Sequence, residues 1–312
     1  MEKTKTGIIP ITPYLLGLIF LTILSCGNSP ESKKNPPDRT GGGFFGYDLS
    51  NPDETIILPP VLHEISGITA IDSSSIACVQ DENGIVFIYD VRSKGITKHI
   101  TFHGNGDYEG ITLADNIIYV LRSDGVLFEI PDLKSSGVAE KILLPKLSDN
   151  ENEGLCYYRK SNILLIAPKD KPKKDTEDKD DRGIYGFDLT MQELIKNPII
   201  SIDLSAIEEV AANNKILNQA KSGKKDKEDK PNIKFRPSAI GIHPVTEKLF
   251  VLSATDQMLF IFDLDGTIEY MVYLDPEIFN MSEGITFFEN GDMLISNEGQ
   301  NKNATLLRFN YK

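Results

Sequence analysis

The stretch GDYEGITLADNIIYVLRSDGVLFEI, Gly106 to Ile130, decides the fold. In it a carboxylate, Glu109, is followed by glycine and by three runs rich in Ile, Val, Tyr and Phe, the last two separated by the turn SDG. Such runs between Asp-Gly and Asn-Gly signals are antiparallel hairpin material. The junction recurs as SGIT at Ser66, EGLC at Glu153, SAIG at Ser238 and EGIT at Glu283, at intervals of 43, 44, 85 and 45 residues. A repeat of about 40–45 residues made only of short strands marks a β-propeller with one four-stranded blade per repeat. The expectation is therefore an all-β, five-bladed β-propeller; six blades is the alternative, because the third interval is twice the period.

One blade with insertions accounts for the long interval. Charged segments at about 170–182 and 205–232 interrupt it, and the second carries a helical pattern from Ser205, with Ser205 as N-cap. Both insertions are expected on the rim, in solvent. The fifth repeat ends one strand short, and ETIILPPVL, before the first junction, can supply the missing outer strand and close the ring. Closure would remove the exposed edges of an open sheet.

The first strand of a propeller blade lines the central channel, so equivalent positions lie at one height around the axis. Glu109, Glu153 and Glu283 are thus expected to face one another near one mouth. Side chains alternate along a strand with period two, which adds Glu64, Asp107 and Glu151 from two residues earlier. Several carboxylates at close quarters raise one another's pKa unless a counter-charge is present. Oxygen-only ligands point to Ca²⁺ rather than Zn²⁺. The competing reading is that each glutamate caps backbone amides or pairs with a base, for which Lys169 is available. Asp81, Glu82 and Glu298 follow second strands and read as turn residues, although Glu298 is within reach of the mouth. The histidines at 63, 99, 103 and 243 are scattered at turns, and His243 reads as a turn residue.

The N-terminus is an address. Lys3 and Lys5, an apolar run from Ile8, and ILSC ending at Cys26 match a lipoprotein signal peptide over 1–25, with Cys26 as the lipidated residue. A polar Pro/Gly tether, 26–44, precedes a single propeller domain over 45–312. This implies export and a lipid anchor on a bacterial membrane, with the outer membrane preferred because no aspartate follows Cys26. Loss of residues 1–25 changes the formal charge from -13 to -14, and no basic stripe offsets it, so nucleic acid is excluded as a partner. Cys78 and Cys156 lie in non-adjacent repeats and read as buried free thiols. The run DKDDRG, ending at Gly183, has Arg182 at its fifth position and no glutamate six residues after the glycine, so it is not an EF-hand. No Gly-x-Ser-x-Gly elbow or Ser-His-Asp order supports a nucleophilic hydrolase, and the Gly-x-Gly at Gly104 opens no helix.

LPPVLHEISGI, DENG, GDYEGI, NEGL, LLIAPK, RPSAIGIHP, LFVLSA, SEGITF and LISNEG, in this order over residues 58–310, resemble the motifs of the SdiA-regulated (YjiK-like) family. The resemblance implies a five-bladed propeller distantly similar to NHL-repeat propellers, with a bound Ca²⁺ and no established activity. It implies Glu64, Glu109, Glu153 and Glu283 as ligand and mouth residues, with Lys169 and Glu298 nearby. The lipobox and the charged insertions depart from the family pattern. Two functions stand at this point: a calcium-stabilised, envelope-tethered module binding a protein or glycan, and a metal-dependent hydrolase of lactones, esters or phosphoesters using a channel Ca²⁺.

Overall fold

The ring is built from one repeated solution to one burial problem. The computed structural model describes residues 45–131, 140–144, 147, 151–170, 181–213 and 233–312, within one unit spanning Gly41–Lys312. The segments read above as signal peptide and tether, with Cys26, most of the first charged insertion and the second beyond residue 213 lie outside the described residues.

After β1 (Glu54–Ile57), blade 1 comprises β2 (Ile65–Ala70), β3 (Ser75–Gln80), β4 (Asn83–Asp90) and β5 (Gly95–Asn105). Blade 2 comprises β6 (Tyr108–Ala114), β7 (Ile117–Arg122), β8 (Val126–Ile130) and β9 (Glu140–Leu143). Blade 3 has β10 (Asn152–Tyr158), β11 (Ile163–Pro168) and a long β12 (Asp181–Asp188), whose two halves pair with β13 (Glu193–Leu194) and β14 (Ile200–Asp203). The helix α1 (Leu204–Asn213) follows. Blade 4 comprises β15 (Ala239–Ile242), β16 (Leu249–Ser253), β17 (Met258–Phe262) and β18 (Ile268–Tyr273). Blade 5 comprises β19 (Ser282–Phe287), β20 (Met293–Asn297) and β21 (Thr305–Phe309), and its outer strand is β1, paired antiparallel with β21 from Glu54↔Arg308 to Ile57↔Thr305. The sheets number five among the described residues, so the long interval is one blade. The N-terminal strand closes the ring as its sequence predicts. The fold is a five-bladed β-propeller.

The middle strands explain the continuous apolar runs. Ile76 and Cys78 of β3 point into the core between blades 5 and 1, while Ala77 and Val79 point into the core between blades 1 and 2. Leu249 and Val251 of β16 likewise enter the core shared with blade 3, and Phe250 and Leu252 that shared with blade 5. Period-two alternation with both faces buried reads in sequence as unbroken hydrophobicity. Each fully buried Leu or Ile contributes about 1.5–3 kcal/mol, so the five interblade cores hold the ring. Cys78 and Cys156 sit in two different cores, free and buried, and burial pushes both thiols up to about 12. They are packing residues.

Two expectations about the insertion need correction. Asp203 caps α1: its Oδ1 accepts the Ser205 amide at 2.8 Å and the Ser205 hydroxyl at 2.6 Å, whereas Ser205 lies inside the helix. The start of the insertion is also not a solvated addition. Ile207 and Ala211, one helical turn apart, are buried with Phe235 in the core between blades 3 and 4. No helix among the described residues is long and apolar enough to cross a membrane.

The glycine of the junction has a packing cause. Neighbouring inner strands approach so closely that a Cβ on Gly110 would lie 2.6 Å from Leu155 Cβ and 2.9 Å from the Glu153 carbonyl oxygen. Gly110→Ala is expected to cost about 1–3 kcal/mol through overpacking, read as a lower urea midpoint at unchanged slope. A midpoint shift equivalent to less than about 0.5 kcal/mol would show that the strands separate freely.

Candidate functional site

The inner strands β2, β6, β10, β15 and β19 stand side by side around the axis, each touching the next. In four of them the pairing register shifts at the junction residue itself: between 65 and 67, 108 and 110, 152 and 154, and 282 and 284. A bulge re-aims one side chain out of the regular alternation. Ser66, Glu109, Glu153 and Glu283 are those side chains. In the fifth inner strand, β15, Ser238 stands just before the first paired residue.

Serine and glutamate do different work at this level. The Ser66 hydroxyl donates to the Tyr108 carbonyl oxygen at 2.6 Å and that of Ser238 to the Ser282 carbonyl oxygen at 2.8 Å, stitching each strand to its neighbour. The three glutamates instead present carboxyls to one another. Glu109 lies within hydrogen-bonding reach of Asp107 and Glu153. Burial, then the charges of Glu153, Asp107 and Glu283, raises its pKa to about 10. Burial, and then Glu153, raises Glu283 to about 8 against the opposing pull of Lys169, with Glu298 and Asp81 adding to the rise. Glu153 is only 5% exposed, and burial lifts its pKa even though Lys169 Nζ sits 2.7 Å from its Oε1. Lys169 stays above the usual lysine value despite its own burial, through Glu153 and then Glu283 and Glu109. One of the three junction glutamates therefore has a counter-charge, as the competing reading expected.

Two more positions per blade complete the mouth. Second-strand ends place Asp81, Ser123, Lys169 and Glu298 so that their amides donate to the carbonyl oxygens of Glu64, Asp107, Glu151 and Met281, each two residues before a junction. Asp81, read from sequence as a turn residue, thereby enters the cluster. Burial, then Glu64, Glu298, Glu82 and Asp107, raises it to about 6, and its Oδ1 is buried without a hydrogen-bond partner. Glu298 is raised by burial and by Glu64, with His63 opposing. Glu64 thus acts on Asp81 and Glu298, while the carboxylates acting on Glu109 are Glu153, Asp107 and Glu283. Asp107 also accepts a hydrogen bond from the Ser123 hydroxyl. Glu151 turns to Arg236, which bridges it at 3.1 Å and also Asp170. Arg236 escaped the sequence reading although the signal was present: it stands two residues before Ser238, the offset that selected Glu64, Asp107 and Glu151.

Eight carboxylates (Glu64, Asp81, Asp107, Glu109, Glu151, Glu153, Glu283 and Glu298) and two cations (Lys169 and Arg236) thus occupy one mouth. The donor set is oxygen-only, the chemistry that suits Ca²⁺. Asp81 Oδ1 and Asn152 Oδ1, the latter beside Glu153 in sequence, are buried oxygens with no hydrogen-bond partner. Among the described residues, no set of three or more His, Cys, Asp or Glu side chains is gathered so as to hold a metal ion as it stands.

No family model matches the sequence, and no curated protein does. The fold is similar to that of the glutaminyl cyclase of Myxococcus xanthus, with a TM-score of 0.54 at 10% identity, covering 84% of this chain and 97% of the other. A chain of a nidogen/laminin complex is similar with a TM-score of 0.47 at 9% identity, covering 75% and 72%. At such identity the cyclase likeness concerns the propeller architecture.

Proposed function

We propose that the chain is a calcium-binding propeller, lipid-anchored through Cys26 to the bacterial envelope, where its loops bind a protein or glycan partner. The observation that carries the metal reading is the imbalance of the mouth: eight carboxylates share two cations, and Glu109 and Glu283 are driven toward protonation where they stand. A divalent cation would relieve that repulsion. Glu109, Glu153, Glu283 and Glu64 would hold it, and Asp81 joins them on the strength of its orphaned oxygen. The resemblance of the junction motifs to the SdiA-regulated family supports the same ion. The anchor rests on the lipobox, and the outer membrane on Gly27 following Cys26.

The test is the metal content of the purified full-length chain and a calcium titration by calorimetry. Glu109→Gln and Glu153→Gln are each expected to weaken binding at least tenfold. A parent that takes up no calcium sinks the reading and leaves a hydrogen-bonded carboxyl cluster braced by Lys169.

A second reading, a hydrolase of lactones, esters or phosphoesters, is favoured by one pair. Glu109, raised to about 10, sits beside the Lys169-paired Glu153, so an acid and a base lie side by side. A panel of those substrates, with Glu109→Gln as the control, separates the two readings.

A further inference from the structure

The opposite end of the channel has the opposite chemistry. A cavity of about 640 Å³ opens there, walled by the downstream halves of all five inner strands and containing none of the acidic mouth residues. Its floor is a five-fold ring of Ile68, Ile111, Leu155, Ile240 and Ile285, each two residues past a junction and at most 5% exposed. Two residues further along stand Ala70, Leu113, Tyr157, Ile242 and Phe287, again one per blade. All five are apolar and only half-buried, each at the edge of a different interblade core. A water-filled pore gains nothing from five half-exposed apolar side chains at one level. The volume falls within the roughly 300–1,000 Å³ of small-molecule sites.

The rim indicates what enters. Its cations are already matched: Arg159 to Glu289 at 3.3 Å, Lys160 to Glu247 at 2.6 Å, and Arg308 to Asp292. Asp72 is spent on the amides of Ser74 and Ser75. The three pairs carry no net charge, so a charged ligand would have to break one of them or compete with two amides for Asp72. Arg159 reaches from blade 3 to Glu289 of blade 5, past blade 4, and at 74% and 81% exposure that pair is weak enough to open. Inside, the hydroxyl oxygens of Thr69 and Thr286 accept the amides of Leu113 and Ala70 at 3.3 and 2.9 Å, and each hydroxyl still carries a hydrogen to donate.

We propose that this cavity binds a neutral, compact apolar or aromatic molecule with one hydrogen-bond acceptor, its body against the five-residue collar and its acceptor facing the threonine hydroxyls.

The test is titration of the full-length chain with N-phenyl-1-naphthylamine, a neutral dye that brightens in apolar surroundings, followed by displacement with 1-naphthalenemethanol and with 1-naphthoate. Saturable one-to-one binding is expected, with the neutral alcohol displacing the dye at one-tenth or less of the naphthoate concentration. Leu113→Trp fills the collar and is expected to weaken dye binding at least tenfold; Ala70→Leu, a smaller intrusion, at least threefold. Circular dichroism melts establish that each variant is folded, and if Leu113→Trp is not, Ala70→Leu decides. Variant-to-parent differences separate the cavity from dye taken up by the apolar run after Ile8. The result is expected to be the same in calcium and in chelator, because the acidic mouth contributes nothing to the wall. Absence of saturable binding, equal displacement by the carboxylate, or unchanged affinity in a folded collar variant each overturns the proposal.

Discussion

In chelator, the protein is expected to melt at progressively lower temperature as the pH is raised from 5 to 8, the reverse of ordinary acid denaturation. Glu109 and Glu283 have folded pKa values of about 10 and about 8, above the ordinary glutamate value, because burial and neighbouring carboxylates disfavour their charge. The folded chain therefore holds protons that the unfolded chain releases. Stability from these groups is fully present below about pH 4.5 and is lost as the pH rises through 8 and toward 10. One proton held through that window corresponds to about 1.4 kcal/mol per pH unit. Residual solvation at the channel mouth reduces this, so the expected loss between pH 5 and 8 is about 2–4 kcal/mol. That loss corresponds to a fall in Tm of about 5–15 °C for a domain of this size. Calcium, if it neutralises the cluster, should flatten the profile. Glu109→Gln should be more stable than the parent in chelator at pH 8 by about 1–3 kcal/mol, since it removes a buried group that must otherwise ionise or stay protonated against the solution. A Tm that is level from pH 5 to 8 in chelator would show that the mouth carboxylates are solvated as in the unfolded chain.

The second large effect is expected at His243, far from those carboxylates. The ring is fully buried, and its Nδ1 accepts the amides of Val245 and Thr246 at 3.1 and 3.0 Å. The proton therefore sits on Nε2 and is donated to the Tyr47 hydroxyl at 2.6 Å, which donates in turn to the Gly291 carbonyl oxygen. This chain ties the segment entering the domain to the first turns of blades 4 and 5. The ring stacks on Phe250 at 5.6 Å and meets Phe287 and Tyr311 at 4.9 and 4.8 Å. His243→Ala leaves both a cavity and two amides without an acceptor, for an expected cost of about 4 kcal/mol, or a fall in Tm of about 8–16 °C. His243→Asn should recover part of it by restoring the acceptor.

Burial lowers the His243 pKa to about 4, so the neutral ring is the folded form. Its contribution is complete above about pH 6.5 and is lost as the pH falls toward 4. Below about pH 6.5 this opposes the effect of the carboxyl cluster, so the fall in Tm in chelator is expected to be steepest above that pH. A loss below about 1 kcal/mol in His243→Ala would show that the turn holds without the ring.

The sequence alone determined the propeller architecture, the strand content of the repeats, the closure by β1 and the level at which Glu109, Glu153 and Glu283 meet, while the choice of five blades over six waited on the sheets themselves. It could do so because these are local patterns repeated at one spacing: once the strands form, identical junctions fall at identical heights around an axis. His243 as a turn residue and the two cysteines as packing residues were legible for the same reason. Only the tertiary structure decided which acids act on which. Asp81 joins Glu64 and Glu298, Lys169 pairs with Glu153, and Arg236 takes Glu151, across strands that belong to different repeats. Pairing and pKa depend on distances through space that ring closure and the junction bulges set, and a bulge shifts a side chain without leaving a mark in the alternation. The burial of α1 and the apolar collar at the far mouth were hidden for a related reason. In the sequence, Leu113 or Ile242 is one more hydrophobic residue in a buried strand, and only the closed ring leaves its outer edge uncovered.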